Sequence, residues 1–96
     1  MNVWVTLELT VRDGAYADLK PFLEEKLPAV RGFDGALSVS ILFEETSNKL
    51  LLLEEWKSQE HHQAYIAAIS ENGVMKELLS YMMGPPDVQY YHRVMI

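Results

Sequence analysis

Cysteine is absent from the 96 residues. That excludes a disulfide framework and any Cys-ligated zinc or iron–sulfur site. Positive charge is scarce. Lys and Arg number 8 against 14 Asp and Glu, a formal net charge of −6. No basic stripe exists to displace phosphate counterions, so no nucleic-acid partner is expected. Long apolar runs are missing. Leu50-Leu51-Leu52-Leu53 falls far short of the roughly 20 residues that span a bilayer, so no membrane partner is expected. The opening stretch from Met1 to Glu8 alternates polar and apolar and has no basic segment. It does not resemble a signal peptide, and a cytoplasmic location is expected. The five glycines, at positions 14, 32, 35, 73 and 84, are turn punctuation rather than a phosphate loop. No Gly-x-Ser-x-Gly elbow is present. Neither a nucleotide nor a flavin is implied, and the expected cofactor set is none.

Apolar surface, by contrast, is plentiful. Hydrophobic residues make up 49% of the chain, the top of the usual globular range. The length suits one domain over residues 1–96. A chain this short buries only about two-thirds of the surface it exposes when unfolded. Some of its apolar surface therefore calls for further cover.

The spacing predicts seven elements. Val3, Val5, Leu7, Leu9 and Val11 alternate with Trp4, Thr6, Glu8 and Thr10, which predicts a strand over Asn2–Val11. Asp13 is a candidate N-cap for a helix carrying Tyr16, Leu19, Leu23, Leu27 and Val30. Pro21 predicts either a late start near Asp18 or a kink, and Pro28 and Gly32 mark the close. Gly35 opens a second strand, with Leu37, Val39, Ile41 and Phe43 on one side and Ala36, Ser38, Ser40 and Leu42 on the other. Glu45 to Asn48 reads as a hairpin loop, and Lys49 to Trp56 as a central strand apolar on both faces. Ser58 caps a helix presenting His62, Tyr65, Ile66 and Ile69 on one face. A short helix through Val74, Leu78 and Met82 follows, and Gly84-Pro85-Pro86 stops it. Asp87 to Ile96 is the last strand.

Two β-α-β halves joined by a hairpin give an α+β fold: the ferredoxin-like split β-α-β, with a four-stranded antiparallel sheet. The helices cover one face. On the other, Trp4, Ala36, Leu42 and Leu51 or Leu53 would meet water. A homodimer, open sheet face to open sheet face, is the expected remedy.

The stretch Glu54-Glu55-Trp56-Lys57-Ser58-Gln59-Glu60-His61-His62-Gln63-Ala64-Tyr65 resembles the signature of the antibiotic biosynthesis monooxygenase superfamily: a strand ending in Glu-x-Trp, then a helix rich in Ser, Glu and Ala. Arg31 to Ser38, with its Asp-Gly-small-Leu-Ser core, and the Gly84-Pro85-Pro86-Asp87-Val88 entry to the last strand also resemble it. The resemblance implies a dimeric α+β barrel. The superfamily that the chain resembles includes cofactor-independent oxygenases of quinols and polycyclic phenols, haem-degrading enzymes, and many members with no known reaction. The family's monooxygenases use the Trp that Trp56 matches, and an Asn four residues earlier, where this chain has Leu52. Haem-degrading members ligate iron through a His where this chain has Tyr65. That replacement argues against haem.

The candidate site lies under the helices. Trp56 is either a pocket wall that stacks on an aromatic substrate or a core residue at a strand end. His62 is either a general base for a phenol proton or a satisfied core histidine. Tyr65 either hydrogen-bonds a substrate oxygen or packs. Leu52, Glu54, Asn2 and Tyr90 are candidate pocket lining, although charged side chains more often stay at the surface. No metal site is expected. Adjacent helical residues such as His61 and His62 diverge by about 100° and cannot share an ion. The expectation is a monooxygenase acting on a small aromatic phenol or quinol. The alternative is a non-catalytic dimeric module that binds a small hydrophobic molecule.

Overall fold

The computed structural model describes residues 1–96. The order is β1 (Val3–Thr10), α1 (Tyr16–Arg31), β2 (Ala36–Glu44), β3 (Lys49–Trp56), α2 (Gln59–Glu71), α3 (Val74–Ser80) and β4 (Asp87–Tyr91). The sheet order is β2-β3-β1-β4, with every neighbour antiparallel. This is the ferredoxin-like α+β arrangement that the sequence predicts.

β1 sits inside the sheet, and its alternation is reproduced in its burial. Val3, Val5, Leu7, Leu9 and Val11 are buried, whereas Glu8 and Thr10 are exposed. From α1, Leu19, Phe22 and Val30 close over the same face. The chain at Met82 pins to the end of β1. Met83 donates its N–H to the Thr10 carbonyl at 2.8 Å, and Arg12 Nε donates to the Met82 carbonyl at 2.8 Å.

α1 runs through both of its prolines. Pro21 and Pro28 stand seven residues apart, two turns, so they share one face, and that face is exposed. The carbonyls deprived of a donor belong to Ala17 and Glu24, also exposed. Water can satisfy them, so the helix continues. Asp13 is not the N-cap. That position is Ala15, without a side-chain cap, and the Asp13 carboxylate instead accepts from Asn48 Nδ2 at 2.8 Å.

β2 differs from the sequence expectation at its first residues. A bulge between Ala36 and Ser38 makes Leu37 the extra residue. Ala36 therefore pairs with Trp56 and packs on the core, while Leu37 is 44% exposed. Val39, Ile41 and Phe43 face inward as expected. The hairpin is fixed by Glu44, whose carboxylate accepts from the Thr46 and Ser47 N–H groups at 3.0 and 2.8 Å and from Ser47 Oγ. These donors hold its pKa down to about 2. Ser58 caps α2 by accepting the His61 N–H at 3.1 Å.

β4 ends at Tyr91, short of the predicted Ile96. Its only partner is β1, from Trp4↔Tyr91 to Glu8↔Asp87. In that register only Val3 of β1 remains, opposite His92, so Arg93 to Ile96 have no strand to pair with. His92 to Ile96 are exposed.

All three helices pack on the face bearing Leu7, Leu50 and Trp56. Trp4, Leu42, Leu51, Leu53 and Tyr91 lie on the opposite face, where Leu42 and Tyr91 are about half exposed.

Candidate functional site

The end of β3 places two polar-capable side chains in the core. Residues 50, 52, 54 and 56 share the inward face by strand alternation. Glu54 sits between Val5 of β1 and Val39 of β2 and is only 2% exposed. Trp56 sits between Val3 and Ala36 and is fully buried. Its indole Nε1–H donates to Glu54 Oε1 at 2.7 Å.

The Ser58 cap starts α2 two residues beyond the strand. It brings His62 and Tyr65 down on this pair. The His62 ring meets the Trp56 ring edge-on at 5.4 Å, and Tyr65 lies tilted against Trp56 at 5.4 Å. Phe33, which the sequence reading did not assign to the site, closes the group with edge contacts to both Trp56 and Tyr65. His62 Nδ1 shares a 2.8 Å hydrogen bond with the Tyr90 hydroxyl. Its Nε2 is buried without a hydrogen-bond partner, 3.8 Å from Glu54 Oε1.

Burial sets the protonation of this cluster. It pulls the His62 imidazole down to about 4, so the ring is neutral at pH 7. It pushes the Glu54 carboxyl above its ordinary range, and the Trp56 hydrogen bond opposes that rise by favouring the carboxylate. Burial, then the nearby Glu54 charge, pushes Tyr65 up to about 12 and raises Tyr90 as well. Both tyrosines therefore keep their hydroxyl protons at neutral pH.

An apolar cavity of about 50 Å³ lies beside the cluster, between the sheet and the helices. Fourteen of its sixteen lining residues are hydrophobic, among them Leu52, Phe22, Ile66 and Met75, and Tyr65 lines it too. The other two are Glu54 and Lys26. A space of this size holds a water molecule or two; benzene occupies cavities of about 150 Å³. A ring can enter only if the wall moves. His62 and Tyr90 open instead on a second cleft, against Val88 and Pro86. Leu7, Ile66 and Met75 line both spaces and divide them. Trp56 lines neither; it braces Glu54 from behind.

Of the residues singled out from sequence, the fold thus brings together Leu52, Glu54, Trp56, His62, Tyr65 and Tyr90. Asn2 lies elsewhere. It is exposed and donates to Glu55 Oε2 at 3.2 Å. Its even number, shared with Trp4 and Thr6, is the signal that sets it on the opposite side of the sheet. His61 turns away from His62: Nδ1 meets Ser58 Oγ at 2.6 Å and Nε2 lies 3.8 Å from Asp34. No three His, Asp or Glu side chains gather around a common point.

Residues 2–68 match the family described as antibiotic biosynthesis monooxygenase. The chain belongs to that family. Its fold is shared by Rv0793 from Mycobacterium tuberculosis, at 17% identity and a TM-score of 0.83 over 100% of this chain and 98% of that one. A putative antibiotic biosynthesis monooxygenase from Bordetella bronchiseptica gives the same identity and TM-score over 98% of each chain. SnoaB, a cofactor-independent oxygenase from Streptomyces nogalater, is 14% identical with a TM-score of 0.81 over 99% and 95% of the two chains. No curated protein matches the chain in sequence. No helix of this family member is long and apolar enough to cross a membrane.

Proposed function

We propose that this chain is a cofactor-independent monooxygenase that oxidises a small aromatic phenol or quinol with O2, working as a homodimer joined through the open sheet faces. The observation that carries the reading is a cluster of buried Glu54, Trp56 and His62 with half-buried Tyr65, of which Glu54 and Tyr65 line a cavity that is otherwise apolar except for Lys26. Membership of a monooxygenase family and the shared fold of a cofactor-independent oxygenase support it.

The chemistry asks little of the protein. A phenol gives up its hydroxyl proton to a base in the site and becomes an electron-rich phenolate. The phenolate adds O2 at a ring carbon that bears hydrogen, giving a peroxide anion. The base returns the proton to that peroxide. Loss of water from the carbon leaves a carbonyl, so phenol plus O2 becomes quinone plus water. The chain supplies desolvation, orientation and a place for the proton. Admission of a ring displaces Ile66 or Met75, which form the thin wall between the two spaces.

The apolar lining also favours a second reading, a carrier for a small hydrophobic molecule. Oxygen uptake with a panel of phenols and quinols separates the two. The oxygenase reading expects uptake above the protein-free rate, reduced in Trp56→Phe and His62→Ala. Binding of the same compounds without uptake, in all three proteins, identifies the carrier and overturns the oxygenase.

A further inference from the structure

We propose that Glu54 is the group that takes the substrate's proton and returns it, and that His62, held by Tyr90, is a positioning residue acting through Glu54. This rests on the oxygenase reading and assigns the proton to one atom. Three observations point there. Glu54 lines the cavity, whereas His62 lines only the cleft on the other side of Leu7, Ile66 and Met75. Of the two Glu54 oxygens, Oε1 is occupied by the Trp56 N–H at 2.7 Å, and Oε2 carries no protein hydrogen bond. His62 Nε2 is buried, unpartnered and 3.8 Å from that same Oε1.

This role for His62 requires one tautomer. With the Tyr90 hydroxyl donating to Nδ1, the neutral ring carries its proton on Nε2. That N–H faces Glu54 Oε1 and bonds to it after a shift of about 1 Å, a tightening of the kind expected when a site is filled. Two neutral donors, Trp56 Nε1–H and His62 Nε2–H, then hold Oε1. Oε2 is left as the free acceptor of the one carboxyl that lines the cavity. The substrate O–H bond breaks, the Oε2–H bond forms, and the electron pair stays on the phenolate oxygen. The same proton goes back to the peroxide anion, and Glu54 ends as it began.

The groups that face Glu54 are few. They are Trp56 on its own strand, His62 and Tyr65 on α2, Tyr90 on β4, and Lys26 of α1 across the cavity. The flanking residues on β1 and β2, Val5 and Val39, are apolar. No other acid is available to the cavity.

The test uses the full chain with histidine labelled in nitrogen and glutamate labelled in carbon, alongside oxygen uptake. Wild type is expected to show His62 as the Nε2–H tautomer at pH 7, and Tyr90→Phe to show mixed tautomers. The Glu54 carboxyl, identified by its loss in Glu54→Gln, should titrate at higher pH in Tyr90→Phe. In turnover, Glu54→Gln should lower kcat about 100-fold or more. Tyr90→Phe should move the acid limb of kcat/KM upward with the Glu54 titration. An Nδ1–H tautomer in wild type overturns the proposal. So does a Glu54→Gln protein with wild-type kcat, or a Tyr90→Phe protein whose limb and Glu54 titration stay fixed. If wild type oxidises no phenol, the oxygenase reading fails, and the tautomer and the Glu54 titration still decide the positioning.

Discussion

Two pairs of identical neighbours, Glu54 with Glu55 and His61 with His62, show what position does to chemistry. Glu54 points inward, is 2% exposed and has its carboxyl pushed up by burial. Glu55 points outward and accepts from Asn2 at the surface. His62 is fully buried and held neutral, while His61 caps the edge against Ser58 and Asp34. One residue along a strand, or one along a helix, moves the same side chain from a dry cluster to solvent. Residue type supplies the functional group. The pleat and the helical turn decide whether it can act.

The largest break in that contrast comes from removing the brace. Trp56→Ala empties a fully buried site and leaves Glu54 Oε1 without its donor. The expected loss is about 3–5 kcal/mol of stability, read by urea unfolding at pH 7. Glu55→Gln, by comparison, should stay within about 0.5 kcal/mol, as surface substitutions do. A loss below 1 kcal/mol for Trp56→Ala would mean that the cluster is not a packed unit.

The opposite face provides the next contrast. Leu53 points away from Glu54 and lies among Trp4, Leu51 and Leu42. If a second copy covers this face, Leu53→Lys places a charge in the interface. Dimerisation should weaken by about 2 kcal/mol or more, roughly 30-fold, with the monomer still folded. Sedimentation at several protein concentrations reads it. A wild-type chain that sediments as a monomer throughout, or a Leu53→Lys dimer of unchanged strength, removes the sheet-to-sheet dimer.

Much of this was legible along the chain, and the gaps have physical causes. Alternation in Val3 to Val11 placed β1, and the His62–Tyr65–Ile69 spacing placed the helical face of the site. The Leu37 and Ala36 faces were exchanged because a bulge adds a residue without changing local composition. The end of β4 depends on where β1 begins, some 90 residues earlier in sequence. The same non-locality hid the His62–Tyr90 bond, which joins residues 28 apart, and the seat of Phe33 against Trp56. Glu54 was visible as pocket lining. Its contact with the Trp56 indole was not, since two inward residues on one strand reveal their spacing but not their rotamers.

The histidine pair yields a subtler test, in pH. The folded His62 pKa, about 4, lies below its ordinary 6.5. The native state therefore favours the neutral ring. That contribution is full above pH 6.5 and is lost as pH falls toward 4, because the unfolded chain takes up the proton first. The loss should be on the order of 2 kcal/mol across that window. Glu54 works in the other direction: its raised carboxyl favours the native state at low pH and is a growing cost as pH rises through its folded value. Urea midpoints at pH 7 and pH 4.5 read the balance. His62→Gln should flatten the acid slope. An acid slope that survives in His62→Gln would assign it to other groups.

The smallest effect concerns how the pair is separated at all. Ser58 starts α2 by accepting the His61 N–H at 3.1 Å, and its hydroxyl also meets His61 Nδ1. That cap fixes the phase of the helix, and so which histidine turns inward. Ser58→Ala should cost about 1 kcal/mol in unfolding free energy, the usual worth of such a cap. His62 should remain buried, because the Tyr90 bond and the Trp56 ring hold it from the far side. The His62–Tyr90 contact in Ser58→Ala, followed through the His62 ring signals, distinguishes the two controls. If the contact persists, packing alone selects the inward histidine. If it is lost with only a 1 kcal/mol drop, the cap selects it, and a single hydroxyl at the helix start decides which of two identical side chains reaches Glu54.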